Sequence, residues 1–236
     1  MRRIHPDTED DPDISLAYAY PSDRWLRLNM VASADGGAWV KGLSGGLSSK
    51  GDRVIFGVLR NLADVVMAGA ATVRTEGYGP AKAKPDRQIP PPVAVVTRRL
   101  DLDLGSPLFT EARTRTIVIT CGSAPRDRRD EAARLADVIV AGDDKVDFAS
   151  ALGQLRERGL GRILCEGGPR INAQLAAAGL VDELCLTTSP LLIGGGAARI
   201  LNGEASHVPL RLGQVLEEDG VLFCRYLRED THDATT

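Results

Sequence analysis

Apolar runs along the chain alternate with polar turns in an order that predicts strands separated by helices. The first run, Trp25 to Ala32, sets Leu26, Leu28 and Met30 against polar or small neighbours before the turn Ser33-Ala34-Asp35-Gly36-Gly37, the period-two pattern of a strand. After a glycine- and serine-rich stretch, Ser49-Lys50-Gly51-Asp52 can cap a helix to about Asn61 with Val54, Ile55, Val58, Leu59 and Leu62 on one face. The strand 64–69 follows at once, and strand, helix, strand with a crossover of this length predicts parallel pairing in an α/β sheet. Three more strands read at 93–97, 116–120 and 137–140, continuous apolar runs that suit burial on both faces. A helix over 147–159 feeds the strand 162–166, and a helix from about Pro169 to Ala178 follows. Strands at 183–188 and 221–227 complete the order. No clear crossover helix joins those last two, so an antiparallel edge is expected on a mainly parallel sheet with helices on both faces.

Composition narrows the class without changing this picture. With 236 residues, 43% hydrophobic and 26% charged, the chain has the composition of an ordinary globular domain. We expect one domain over 25–228, a flexible N-terminal arm over 1–24 and a disordered tail over 229–236. The net charge of −3 and the absence of a basic block speak against nucleic acid as a partner. No apolar run approaches the roughly 20 residues that cross a bilayer, so no membrane partner is expected. The first residues also lack the apolar core of a secretory signal, which points to a cytoplasmic location. Cys121, Cys165, Cys185 and Cys224 are widely separated with no C-x-x-C pair; buried thiols are expected, with neither metal site nor disulfide framework.

Four motifs carry candidate chemistry. In Leu164-Cys165-Glu166-Gly167-Gly168-Pro169-Arg170-Ile171-Asn172 a strand stops at paired glycines and turns directly into a helix. Glycine permits close approach to the backbone, and proline suits the first helical turn. The unpaired amides of a helix N-terminus attract phosphate, although a tight turn needs glycine for steric reasons alone. Val95-Val96-Thr97-Arg98-Arg99 ends a buried strand in two guanidinium groups, which could fork onto the 2′-phosphate of NADP or form a solvated turn. Gly69-Ala70-Ala71-Thr72-Val73-Arg74-Thr75-Glu76 follows another buried strand, as a ribose or pyrophosphate seat or as a helix cap. Ala32-Ser33-Ala34-Asp35-Gly36 sets a carboxylate in a glycine turn, where it could orient a polar ring or make a plain turn. All four lie at the carboxyl ends of expected strands, which in a parallel sheet is one edge of the molecule.

Leu28 to Gly36, Gly69 to Val73 and Glu166 to Pro169, with Ser44-Gly45-Gly46 and Gly179-Leu180-Val181-Asp182-Glu183-Leu184, resemble the reductase domain of bifunctional riboflavin-biosynthesis enzymes over about Trp25 to Leu227. The resemblance implies a dihydrofolate-reductase-like fold, a homodimer and NADPH as cofactor. It also implies a small-molecule substrate, the ribosylated pyrimidine 5-amino-6-(5-phosphoribosylamino)uracil, reduced at its ribose carbon. By position it implies cofactor contacts from Ala32, Thr72, Glu76 and the run Gly167, Gly168, Pro169, Arg170, Ile171, Asn172 onward to Gln174. The turn Thr97, Arg98, Arg99 resembles the 2′-phosphate turn of dihydrofolate reductases. Asp35, Ser48, Ser49, Arg60 and Glu166 match positions near the substrate. The chain departs from the family after Thr72, where Glu76-Gly77-Tyr78-Gly79-Pro80 leads to Lys82 and Lys84 in place of an Asp-Asp-Pro segment and its arginine. Neither the H-x-E nor the P-C-x-x-C signature of a zinc deaminase occurs, so deamination is not expected.

Two carboxylates are candidates for the chemistry itself. Asp35 and Glu166 could orient the substrate or relay a proton, or could simply accept hydrogen bonds from backbone groups. Arg60 could anchor a substrate phosphate or close a helix-end ion pair. A dihydrofolate reductase acting on a pterin, a deazaflavin-dependent reductase and a non-catalytic nucleotide-binding homologue remain alternatives on the same scaffold.

Overall fold

The computed structural model describes residues 1–84 and 87–229. Its first elements are β1 (Arg2–His5), β2 (Glu9–Asp10) and the short helix α1 (Ile14–Ala17), followed by β3 (Trp25–Ser33), α2 (Lys50–Leu62), β4 (Val65–Gly69) and α3 (Ala70–Thr75). Then come β5 (Val93–Val96), α4 (Pro107–Thr110), β6 (Ile117–Thr120), α5 (Arg126–Leu135), β7 (Asp137–Val140) and α6 (Phe148–Glu157). The chain continues through β8 (Arg162–Cys165), α7 (Pro169–Ala177), β9 (Glu183–Ser189), β10 (Leu210–Glu218) and β11 (Val221–Arg228). One sheet contains all the strands in the order β2-β1-β10-β11-β9-β3-β8-β4-β5-β6-β7. From β9 to β7 the neighbours run parallel, and from β9 outward through β11, β10, β1 and β2 they run antiparallel. The expected fold class, a mainly parallel sheet with an antiparallel edge, is the observed one.

Successive residues of β4 show why the parallel strands are apolar throughout. Val65 and Met67 face the layer formed by Leu152 and Leu155 of α6 and Leu175 of α7. Val66 faces Ile55 and Leu59 of α2, while Ala68 meets Val73 of α3 and Leu108 of α4. Each fully buried leucine or isoleucine contributes about 1.5–3 kcal/mol, so a strand covered on both faces gains twice from the same backbone. The caps follow the sequence: Ser49 Oγ accepts the Asp52 amide at 3.0 Å at the start of α2, and Asp147 Oδ1 accepts the Ser150 amide at 3.0 Å at the start of α6. All four cysteines are free and buried.

The N-terminal segment departs from the expectation of a mobile arm. β1 pairs antiparallel with β10, and Tyr18, only 1% exposed, packs with Ile55, Leu59 and Phe223. The reason lies in the β-strand 210–218, which the sequence pattern does not reveal. It leaves a hydrogen-bonding edge for residues 2–5 to occupy. Beyond Glu229 the expected tail lies outside the described residues.

Candidate active site

The carboxyl ends of β3, β4 and β8 emerge side by side, and a cavity of about 680 Å³ opens there. From α2 come Asp52, Arg53 and Phe56; from the other side come the β4–α3 turn with Gly69, Ala71 and Thr72, and the turn into α7 from Gly168 to Ile171. Met30 of β3 and Trp39 of the following loop also line it.

Glycine governs how closely the two turns approach. The Gly69 amide donates to the Gly167 carbonyl at 2.8 Å, the Gly167–Gly168 peptide is cis, and Gly167 has φ +86°. A Cβ on Gly168 would stand 2.7 Å from Thr72 Oγ1, and one on Gly69 would stand 2.7 Å from Ile171 Cδ1. The space over Gly168 and Thr72 is therefore a cradle that a side chain would fill. Pro169 opens α7 directly beneath it, with Gly168 as the N-cap residue and no side-chain cap.

Glu166, at the end of β8, is 7% exposed and fully engaged. Arg60 Nε donates to its Oε1 and Arg60 Nη2 to its Oε2, both at 2.7 Å, and Tyr78 Oη donates to Oε2 at 2.5 Å. The guanidinium of Arg60 also lies over the ring of Phe56, 4.3 Å from its centre. Burial alone would lower the pKa of Arg60, but the Glu166 carboxylate outweighs it and holds the guanidinium above its ordinary value. Burial and then the same carboxylate push the Tyr78 phenol well above its usual range.

Of the residues expected at the site, Thr72, Glu76, Ser48, Glu166, Gly168, Pro169, Arg170 and Ile171 all line the cavity. Glu76 Oε1 accepts the Ser44 amide at 2.9 Å and so ties the glycine-rich loop to the end of α3. Ser48 donates to Asp52 Oδ2 at 2.6 Å, and Asp52 Oδ1 accepts from Thr187 Oγ1 at 2.7 Å. Ser49 caps α2 and Ala32 is buried in β3; neither is among the lining residues. Asn172 is buried too, its amide donating to the Ile200 carbonyl at 3.1 Å. Gly167 shapes the turn without lining the cavity. Thr97, Arg98 and Arg99 stand at the end of β5, the strand beside β4 through the pair Gly69 and Val96, outside the cavity lining. There Thr97 Oγ1 accepts the Leu100 amide at 3.0 Å, and Arg98 and Arg99 are exposed.

Asp35 and Arg60 both meet partners within the chain. The Asp35 carboxylate accepts the Ser33 hydroxyl at 2.5 Å and the Gly194 amide at 2.7 Å, with the Ile193 amide at 3.2 Å. It fastens the segment after β9 to the end of β3 and does not line the cavity. The Ser33 hydroxyl first, and then these two amides, hold its pKa down to about 2. Arg60 is spent on Glu166, and Arg53, two turns earlier on α2, is the basic residue of that helix lining the cavity. Phe56, Tyr78 and Trp39 escaped the sequence reading. The four-residue spacing of Phe56 and Arg60 on one helix was the available signal for the first; Tyr78 sits in the very segment that departs from the family.

Comparison with known proteins agrees with this geometry. Residues 24–220 match the RibD C-terminal domain family. A 2,5-diamino-6-ribosylamino-4(3H)-pyrimidinone 5′-phosphate reductase of Aquifex aeolicus is 33% identical over 154 residues, 62% of this chain and 66% of that protein. The riboflavin biosynthesis protein RibD of Bacillus amyloliquefaciens is 25% identical over 183 residues, 76% of this chain and 49% of that protein. The chain thus matches less than two thirds of the length of either relative. A pyrimidine reductase-like protein of Corynebacterium diphtheriae superposes with a TM-score of 0.80 at 26% identity, covering 92% of this chain and 98% of the other. By the match of its sequence over residues 24–220 and the dihydrofolate-reductase-like architecture of its sheet, the chain belongs to the RibD C-terminal domain family.

Proposed function

We propose that the protein is an NADPH-dependent reductase that delivers hydride to the ribose carbon of a phosphorylated ribosylaminopyrimidine. The observation that carries this reading is the glycine cradle: Gly168 faces Thr72 across a gap that excludes even a Cβ, at the N-terminus of α7, beside a cavity of about 680 Å³. The residues present fit the cofactor. Thr72 and the α7 amides would hold its pyrophosphate, Arg170 lies beside them, and Arg98 and Arg99 would take the 2′-phosphate. The nicotinamide supplies the hydride; the protein supplies binding, orientation and exclusion of water.

The remaining groups divide the work on the substrate. Arg53, which lines the α2 side of the cavity with Ser48, would pair with the 5′-phosphate. Arg60 donates to both oxygens of Glu166, which would orient a ring or ribose donor of the substrate. Asp35 acts at one remove, through the loop it fastens.

Incubation with NADPH and either 2,5-diamino-6-ribosylamino-4(3H)-pyrimidinone 5′-phosphate or 5-amino-6-(5-phosphoribosylamino)uracil should consume the reduced-nicotinamide absorbance, with NADH far less effective. Consumption of neither substrate, with NADPH nonetheless tightly bound, would reject the reductase reading in favour of a binding protein.

A further inference from the structure

Tyr78 lines the cavity and lies outside every motif of the sequence, yet it meets the most constrained polar group of the site. Glu166 is an ionised carboxylate held by a bidentate guanidinium, and so can only accept hydrogen bonds. The 2.5 Å contact from Tyr78 Oη to Glu166 Oε2 must therefore carry the phenol's single proton. The other charged neighbour, Arg60, has its guanidinium 5.2 Å from the Tyr78 ring centre and is a pure donor, so it cannot draw that proton away. The hydrogen-bonding direction of the hydroxyl is fixed by the charge pair behind it.

We propose that Tyr78 is a specificity-determining residue whose hydroxyl oxygen, its proton committed to Glu166, offers only a lone pair to the cavity. It selects a nitrogen heterocycle that brings an N–H group to this wall over one that brings a carbonyl or ether oxygen. The mismatch has a definite cost. An acceptor placed against Tyr78 faces a second acceptor, and neither can rotate to relieve the repulsion while Glu166 remains ionised. A site built in this way discriminates by the unpaired group that the wrong ligand leaves behind. The proposal rests on the reading that this cavity takes the heterocyclic substrate.

The test compares 4-aminopyrimidine with 4-methoxypyrimidine, which share a ring and differ in the donor. Binding of each to the full chain, with NADPH present, is followed by ligand-observed NMR. The amino probe should bind about tenfold more tightly, and Tyr78→Phe should bring the two within about twofold. Tyr78→Leu, which likewise removes the oxygen, should do the same and carries the test if Tyr78→Phe fails to fold. A tyrosine that merely fills space would leave the relative affinity of the two probes unmoved when its oxygen is removed. Equal affinity of the wild type for the two probes, binding of neither, or an undiminished preference in both variants would overturn the proposal. NADPH binding is read in the same samples by its fluorescence. Its loss would count against the reductase reading, whereas intact NADPH binding without a probe preference would count against Tyr78 alone.

Discussion

Arg60 grips Glu166 through two parallel hydrogen bonds of 2.7 Å, and the glutamate side chain keeps only 3% of its exposure. Removing one partner of such a pair leaves a charge with no compensation. Arg60→Ala should lower stability to urea by about 3 kcal/mol, and Arg60→Lys, which keeps the charge without the fork, by about half as much. An unchanged unfolding midpoint for Arg60→Ala would show that water replaces the guanidinium at no cost.

Asp35 should titrate at about 2 in the folded protein, because the Ser33 hydroxyl and the Gly194 and Ile193 amides favour its charged form. An unfolded aspartate titrates near roughly 3.9, so this contribution is complete above about pH 4 and disappears as pH falls through 2. The carboxyl carbon resonance reports it directly by NMR. Asp35→Ala should speed amide exchange at Ile193 and Gly194 while leaving NADPH affinity within about twofold. A titration near the unfolded value would mean that the loop is not fastened in solution.

Glu183 is a second source of acid sensitivity. It is completely buried between Arg27 and Arg225, with the Trp25 indole donating to Oε2 at 2.7 Å and Arg225 Nε to Oε1 at 2.7 Å. Burial alone would raise its pKa, but the two arginines more than reverse this and hold it below the ordinary glutamate value. The stabilisation is therefore full above the unfolded pKa of roughly 4.3 and is lost as pH falls below it. Glu183→Gln should cost about 3 kcal/mol at neutral pH and flatten the acid limb of the stability curve. A parallel acid limb in mutant and wild type would place the sensitivity elsewhere.

Gly168→Ala tests the cradle without touching a charged group. Its φ of −77° suits alanine, so the effect must come from the Cβ that would meet Thr72 Oγ1. NADPH affinity should fall at least about tenfold, with a stability loss of about 1–2 kcal/mol from overpacking. Combining it with Thr72→Ala should restore the fold more than the affinity.

Arg98→Ala with Arg99→Ala should weaken NADPH by about tenfold or more and leave NADH within about twofold. The turn itself should persist, since Thr97 Oγ1 holds the Leu100 amide and Arg128 Nη2 donates to the Leu100 and Leu102 carbonyls at 3.1 Å each. Equal losses for the two cofactors would mean that this turn does not read the 2′-phosphate.

The parallel half of the fold was legible because its strands are covered on both faces and its turns carry glycine. Val93 to Val96 and Ile117 to Thr120 are continuous buried runs, whereas residues 137–140 form a strand at the expected bounds but, as the sheet's edge, leave Asp137 and Val140 exposed rather than buried on both faces. β10 was not legible: its burial changes from exposed or half-buried at Leu210–Gly213 to buried at Gln214–Leu216, with a register shift between Leu212 and Gln214, so no single period runs through it. α5 was hidden for a related reason, since Ala132 alone is buried in a helix of mostly charged residues. At the site, the phosphate-side glycines announced themselves through backbone geometry. The roles of Asp35, Arg60 and Tyr78 depend on partners more than 80 residues away, at Gly194 and Glu166, and short-range pattern carries no trace of such pairing.

The pairing of β1 with β10 also bears on how the folded chain stays apart from its neighbours. An unprotected antiparallel edge is a template for strand addition by another chain. Here β1 occupies that template, and the outermost strand, β2, is two exposed acidic residues long, too short and too charged to be extended. A chain trimmed to begin at Trp25 would present β10 bare and uncover the apolar side chains of Ile55, Leu59 and Phe223 that Tyr18 covers, and would be prone to associate as its concentration rises. The first two dozen residues serve as a guard against aggregation.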